Sequence, residues 1–230
     1  MGETVEFRSN GSTASGYLAR PPGGSGPGVV VVQEWWGLDS SMKEEAERLA
    51  AAGFVALAPD LYHGEVAGHD EMDKAAQLMQ SLPPDRAARD MSGAVDFMAS
   101  HEGVTGDGIG VIGFCMGGML ALILAANRGD KVKAAVTFYG LPEGETEPDW
   151  SGLTGPVRGH MAEHDDFFSP EKARNLEKKL RGLGKDVEFT VHPGTGHAFM
   201  ASHNALGTRD EKLAEAIWPE VLSFLHHELG

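Results

Sequence analysis

Cys115 is the only cysteine among 230 residues, and it stands in Gly113-Phe114-Cys115-Met116-Gly117-Gly118. An apolar run at 109–114 leads into it and a helix-like run at 119–127 follows. Small residues two before and two after a reactive side chain let strand and helix backbones approach, which lifts that side chain onto a tight strand–turn–helix apex. The first turn of the helix aims unpaired N–H groups at the sulfur, which favours thiolate. The chemistry implied is nucleophilic attack on an acyl carbonyl. Such a nucleophile needs a base and a group that orients the base. Downstream, the run at 157–161 ends in Ala162-Glu163-His164-Asp165-Asp166, and the run at 187–192 leads to Pro193-Gly194-Thr195-Gly196-His197. His197 is the candidate base. Asp165, Asp166 and Glu163 all remain open as its orienting carboxylate, because spacing alone does not choose among them. His160, His164, His192 and His203 are scattered without metal-ligand spacing, so neither a metal nor another cofactor is expected.

These groups must be held by a scaffold, and the sequence supplies one. Asn10-Gly11 between extended runs marks a hairpin, and 21–28 is expected to be a loop. Strand-like runs at 29–33, 54–58, 109–114, 134–139, 157–161 and 187–192 alternate with helical patterns. The helices fall at 40–52, 71–81, 85–100, 115–127, 170–183 and 213–227. Continuous β-branched strands separated by helices of this length predict a single α/β domain, a mostly parallel, doubly wound sheet with helices on both faces. Segments 60–70 and 141–155 are expected to be long loops on the rim of a site at the carboxyl ends of the strands. The order nucleophile, acid, histidine, each at a strand end, is that of the α/β-hydrolase fold. In that fold the loop after the strand at 29–33 donates one oxyanion-hole N–H and the residue after the nucleophile the other. Trp35 and Met116 are the candidates. Glu34 is conspicuous, because a carboxylate at the mouth of an oxyanion hole opposes a developing anion unless it has a separate task.

Composition narrows the partners. The net charge of −15, from 34 acidic and 19 basic residues, argues against a nucleic-acid or anionic-membrane surface, which needs clustered Lys and Arg. One cysteine cannot form an intramolecular disulfide. The first ten residues carry no apolar signal core, and no stretch approaches the roughly 18 apolar residues of a membrane span. A cytoplasmic protein acting on a small molecule, as a monomer or small homo-oligomer, is the expectation.

Four motifs in order, Gln33-Glu34-Trp35-Trp36-Gly37, Pro59-Asp60-Leu61-Tyr62, the segment around Cys115, and Gly196-His197-Ala198-Phe199, resemble those of the dienelactone hydrolase family, the carboxymethylenebutenolidases. The likeness runs over essentially the whole chain. It implies Cys115 as nucleophile, His197 as base and Asp165 as the orienting acid. It also implies that Glu34 exchanges a proton with the thiol as substrate arrives, a switch that protects the sulfur from oxidation. Trp36, Tyr62 and Phe199, which lie within these motifs, are the expected pocket residues. The implied substrate is a lactone or activated ester, opened through a thioester.

One departure bears on the substrate. The best-known members hold a substrate carboxylate with arginines, one of them four residues after the catalytic histidine. That position is Ala201 here, and Lys74 is the only cation between 60 and 80. Lys74 and Arg209 are the candidate substitutes. A general carboxylesterase or thioesterase acting on uncharged acyl groups is therefore the second reading. A catalytically inert ligand-binding protein on the same fold is the third.

Overall fold

The computed structural model describes residues 2–230. Eight strands form one sheet in the order β1-β2-β4-β3-β5-β6-β7-β8. The strands are β1 (Glu3–Ser9), β2 (Ser12–Ala19), β3 (Gly26–Val32), β4 (Val55–Pro59), β5 (Val104–Phe114), β6 (Val132–Phe138), β7 (Val157–His164) and β8 (Val187–Gly196). The β1–β2 hairpin is antiparallel and β2 meets β4 antiparallel, whereas every pairing from β4 through β8 is parallel. The fold is thus the α/β-hydrolase arrangement, a mostly parallel sheet with an antiparallel edge.

The helices are α1 (Ser40–Ala51), α2 (Met72–Ser81), α3 (Pro84–Ser100), α4 (Met116–Asn127), α5 (Pro170–Gly182) and α6 (Glu211–Leu229). Strand β3 shows how the sheet divides them. Val30 and Val32 pack in the cluster that holds α3, α4 and α5, while Val29 and Val31 face the one that holds α1 and α6. Adjacent side chains leave a strand on opposite faces, so a continuous valine run serves two cores. Each of these valines is fully buried, worth roughly 2 kcal/mol apiece relative to exposure.

Three boundaries differ from the expectations in ways that matter. β3 starts at Gly26, so part of the expected loop at 21–28 is strand. There a Cβ on residue 26 would lie 1.9 Å from the carbonyl oxygen of Gly53, and only glycine lets the β3 backbone come so close. β7 runs to His164, which puts Asp165 directly at its carboxyl end, and β8 runs to Gly196, which does the same for His197. The loop at 141–155 carries two short 3-10 turns, Gly144–Thr146 and Trp150–Gly152.

Candidate active site

Cys115 sits between β5 and α4 with φ 55° and ψ −123°, a conformation that side-chain-bearing residues seldom adopt. Its N–H donates to the carbonyl of Phe138 at 3.0 Å, and its own carbonyl accepts from Gly118 and Met119. The flanking glycines are sterically required. A Cβ on Gly113 would stand 2.0 Å from the Gly117 carbonyl oxygen, and one on Gly117 would stand 2.2 Å from that of Val32. The sequence pattern thus has a steric cause: the elbow closes only if these residues have no side chain.

Burial raises the Cys115 thiol well above its ordinary value, and the charges of Glu34 and Asp165 add to this. A hydrogen bond from the Met116 N–H pulls the other way without reversing it. The helix terminus does favour thiolate, as expected, but it is outweighed. Desolvation and two nearby carboxylates oppose the charged form more strongly than one N–H supports it, a balance that favours the neutral thiol.

His197 follows β8. Its Nδ1 lies 2.8 Å from Asp165 Oδ2, and both side chains are almost wholly buried. Asp165 Oδ1 accepts the N–H groups of Phe167 and Phe168 at 2.8 and 2.9 Å, so the carboxylate is fixed from both sides. The imidazole is enclosed by rings, with Tyr139 edge-on at 5.1 Å, Phe167 at 4.9 Å and Phe168 near-stacked at 5.8 Å. With Nδ1 committed to Asp165, Nε2 is the nitrogen left for chemistry. The adjacent Asp166 instead lines the cavity, and Glu163 accepts from the Gly194 N–H.

The turn after β3 is closed by a bond from Gly37 N–H to the Glu34 carbonyl and held from below by one from Leu61 N–H to Gln33 Oε1 at 3.1 Å. It brings Glu34, Trp35 and Trp36 to the cavity that also exposes Cys115, Met116 and His197. That cavity measures about 440 Å³, and its remaining walls are Met79, Met119, Glu143, Phe167, Phe168, Ala198, His203 and Leu206, with Asp166. Of the three expected pocket residues, Trp36 lines it. Tyr62 and Phe199 do not. The Tyr62 hydroxyl donates to the Met116 sulfur at 3.6 Å from behind the wall, and Phe199 is fully buried edge-on to Tyr139.

No lysine or arginine lines the cavity among the described residues. Lys74 pairs with Glu71, and Arg209 approaches Glu211. Sequence reasoning gave His203 no role, yet its Nε2 lies 2.8 Å from Glu34 Oε2. The two residues are 169 positions apart, and no local pattern could have joined them.

The fold and the strand-end placement of thiol, imidazole and carboxylates define an α/β-hydrolase. The sequence profile of the dienelactone hydrolase family matches residues 14–229, and the chain belongs to that family of ester-hydrolysing enzymes. Among its relatives, Protein usf of Aquifex pyrophilus is 39% identical over 206 residues, covering 87% of each chain. A provisionally named carboxymethylenebutenolidase of Aquifex aeolicus strain VF5 is 35% identical over 230 residues, with 97% of each covered. The crystal structure of a provisionally named dienelactone hydrolase from Klebsiella pneumoniae subsp. pneumoniae MGH 78578 superposes with a TM-score of 0.84 at 28% identity, over 98% of both chains. Among the described residues, no helix is long and apolar enough to cross a membrane.

Proposed function

We propose that the chain is a cysteine-dependent hydrolase of lactones or activated esters whose acyl portion is uncharged. The observation that carries this reading is the cavity itself. It joins the Cys115 thiol to a His197 already bonded to Asp165, and among the described residues its acidic lining groups are Glu34, Glu143 and Asp166, with no lysine or arginine.

The reaction begins when the bound ester displaces water and the thiol proton passes to Glu34, leaving the electron pair on sulfur. The thiolate adds to the carbonyl carbon. The charge that develops on oxygen is met by the Met116 N–H, which already points at the sulfur, and by that of Trp35. Collapse expels the leaving oxygen, which departs with the proton held on Glu34, and leaves a Cys115 thioester. His197, oriented by Asp165, then takes a proton from water as that water adds to the thioester, and gives it to the departing sulfur as the acid is released and the Cys115 thiol is restored. An activated leaving group suits a thiolate, which is itself a good leaving group. An acyl carboxylate would meet three acidic groups and no cation, which disfavours the dienelactone substrate for which the family is named.

The test is side-by-side hydrolysis of p-nitrophenyl acetate and a dienelactone, with Cys115→Ala as the blank. Turnover of the neutral ester that vanishes in the blank is the expected result. Turnover surviving in Cys115→Ala would remove the nucleophile assignment, and a strong preference for the dienelactone would overturn the substrate assignment.

A further inference from the structure

We propose that His203 is a positioning residue for the reaction: by donating from Nε2 to Glu34 Oε2 it fixes the Glu34 carboxylate beside Cys115, where its charge bears on the thiol until substrate arrives. The inference rests on the catalytic reading above and concerns how that site is kept at rest.

Four observations converge. First, the proton on His203 is assigned by its partners. The Ala205 N–H donates to Nδ1 at 3.0 Å, so Nδ1 is the acceptor and Nε2 carries the hydrogen directed at Glu34 Oε2, 2.8 Å away. Second, both side chains are only 3% exposed. A carboxylate in such a place keeps its charge only while hydrogen-bonded. Third, the imidazole is held in a slot. The His69 ring lies against it with centroids 4.2 Å apart, and Trp36 is edge-on to both rings. His69 is in turn tied by Nε2 to Asp39 Oδ2 at 2.7 Å, while Asp39 Oδ1 caps α1. The ring that positions Glu34 is therefore anchored to a helix end. Fourth, Glu34 is the larger of the two carboxylate influences that keep the thiol neutral. With Oε2 engaged by His203, the second oxygen is the one left to take the thiol proton.

The other charged groups near Glu34 do not substitute for His203. Glu45 on α1 is acidic and repels it. Arg48 and Arg209 act on Glu45, and Arg48 reaches the Glu45 carboxylate only at 3.9 Å. Tyr139 presents a hydroxyl without a hydrogen-bond partner.

The experiment follows the sulfur directly, which is possible because Cys115 is the only cysteine. Thiolate absorbance against pH and the rate of iodoacetamide alkylation are measured in the intact protein and in His203→Phe, His203→Gln, Glu34→Gln and the His203→Phe/Glu34→Gln double variant. Phenylalanine keeps the ring between His69 and Trp36 but lacks the N–H. The carboxylate is then no longer held beside the sulfur, and its charge no longer bears on the thiol. Thiolate is expected at lower pH and alkylation faster at neutral pH, about tenfold for each pH unit by which the titration moves, while ester turnover falls. Glutamine retains an N–H donor and should restore both properties. In Glu34→Gln the same phenylalanine should add nothing, since the route through Glu34 is already cut.

An unchanged thiol titration in His203→Phe would overturn the proposal, as would an effect that persists undiminished in the Glu34→Gln background. Should His203→Phe fail to fold, His203→Leu compared with His203→Gln poses the same question on the same readouts. A shifted titration in a protein that hydrolyses no ester would defeat the catalytic reading and leave only the link from His203 through Glu34 to the thiol.

Discussion

Two adjacent aspartates diverge at the scale of single residues. Asp165 accepts His197 on one oxygen and two backbone N–H groups on the other, whereas Asp166 faces the cavity. Asp165→Asn presents an amide where Nδ1–H needs an acceptor, which misorients the imidazole or inverts its tautomer. Steady-state turnover of p-nitrophenyl acetate should fall roughly 10³- to 10⁴-fold, in line with losses from other triads. Asp166→Asn should leave it near the parent value, and the opposite ranking would transfer the acid role to Asp166. The sulfur gives a second prediction. A thiol raised by burial and by carboxylates is protonated at neutral pH, so alkylation of the resting enzyme should be slow at pH 7 and climb with pH well into the alkaline range. A plateau below pH 8 would mean that the resting site holds a thiolate after all.

Helix α1 links the site to stability at the scale of elements. Its Asp39 cap ties down His69, and on its buried face Glu45 has a carboxyl raised from 4.5 to about 7, chiefly by burial, with Arg48 opposing and Glu34 adding to the shift. An acid with a raised folded value binds its proton more tightly when folded. Its effect on stability is therefore absent below about pH 4.5 and grows more costly as pH rises through 7. The whole difference is on the order of 3 kcal/mol. Glu45→Gln should raise the melting temperature at pH 8, change it little at pH 4.5, and flatten the decline between. Equal gains at both pH values would show that Glu45 is not titrating.

Most of this element-level structure was legible beforehand, because the helical pattern of α1, the continuous valines of β3 and the glycines around Cys115 are all local constraints. The assignments that went astray were those set by tertiary neighbours. Tyr62 and Phe199 lie in motifs shared with pocket residues, yet point behind the wall. The thiol's charge depends on carboxylates that only folding brings near. The Glu34–His203 pair joins the turn after β3 to a loop 169 residues on, and no periodicity carries that information.

The net charge of −15 at the scale of the whole molecule acts in the same direction as the cavity. An anionic ester is repelled first by the protein's long-range field and then by Glu34, Glu143 and Asp166 at close quarters. Salt separates the two contributions, because it screens the first and barely touches the second. The screening length falls from about 30 Å at 10 mM to about 8 Å at 150 mM ionic strength. For an ester whose acyl part bears a carboxylate, such as mono-p-nitrophenyl succinate, kcat/KM should rise over this range, by about twofold or more. For p-nitrophenyl acetate it should stay flat. The anionic ester should still trail the neutral one at the higher salt, since the residual deficit belongs to the cavity. Parallel salt profiles would show that the surface charge plays no part in selection. An anionic ester that overtook the neutral one would mean that a cation reaches the cavity during turnover, returning the protein to the carboxylate-bearing lactones of its family.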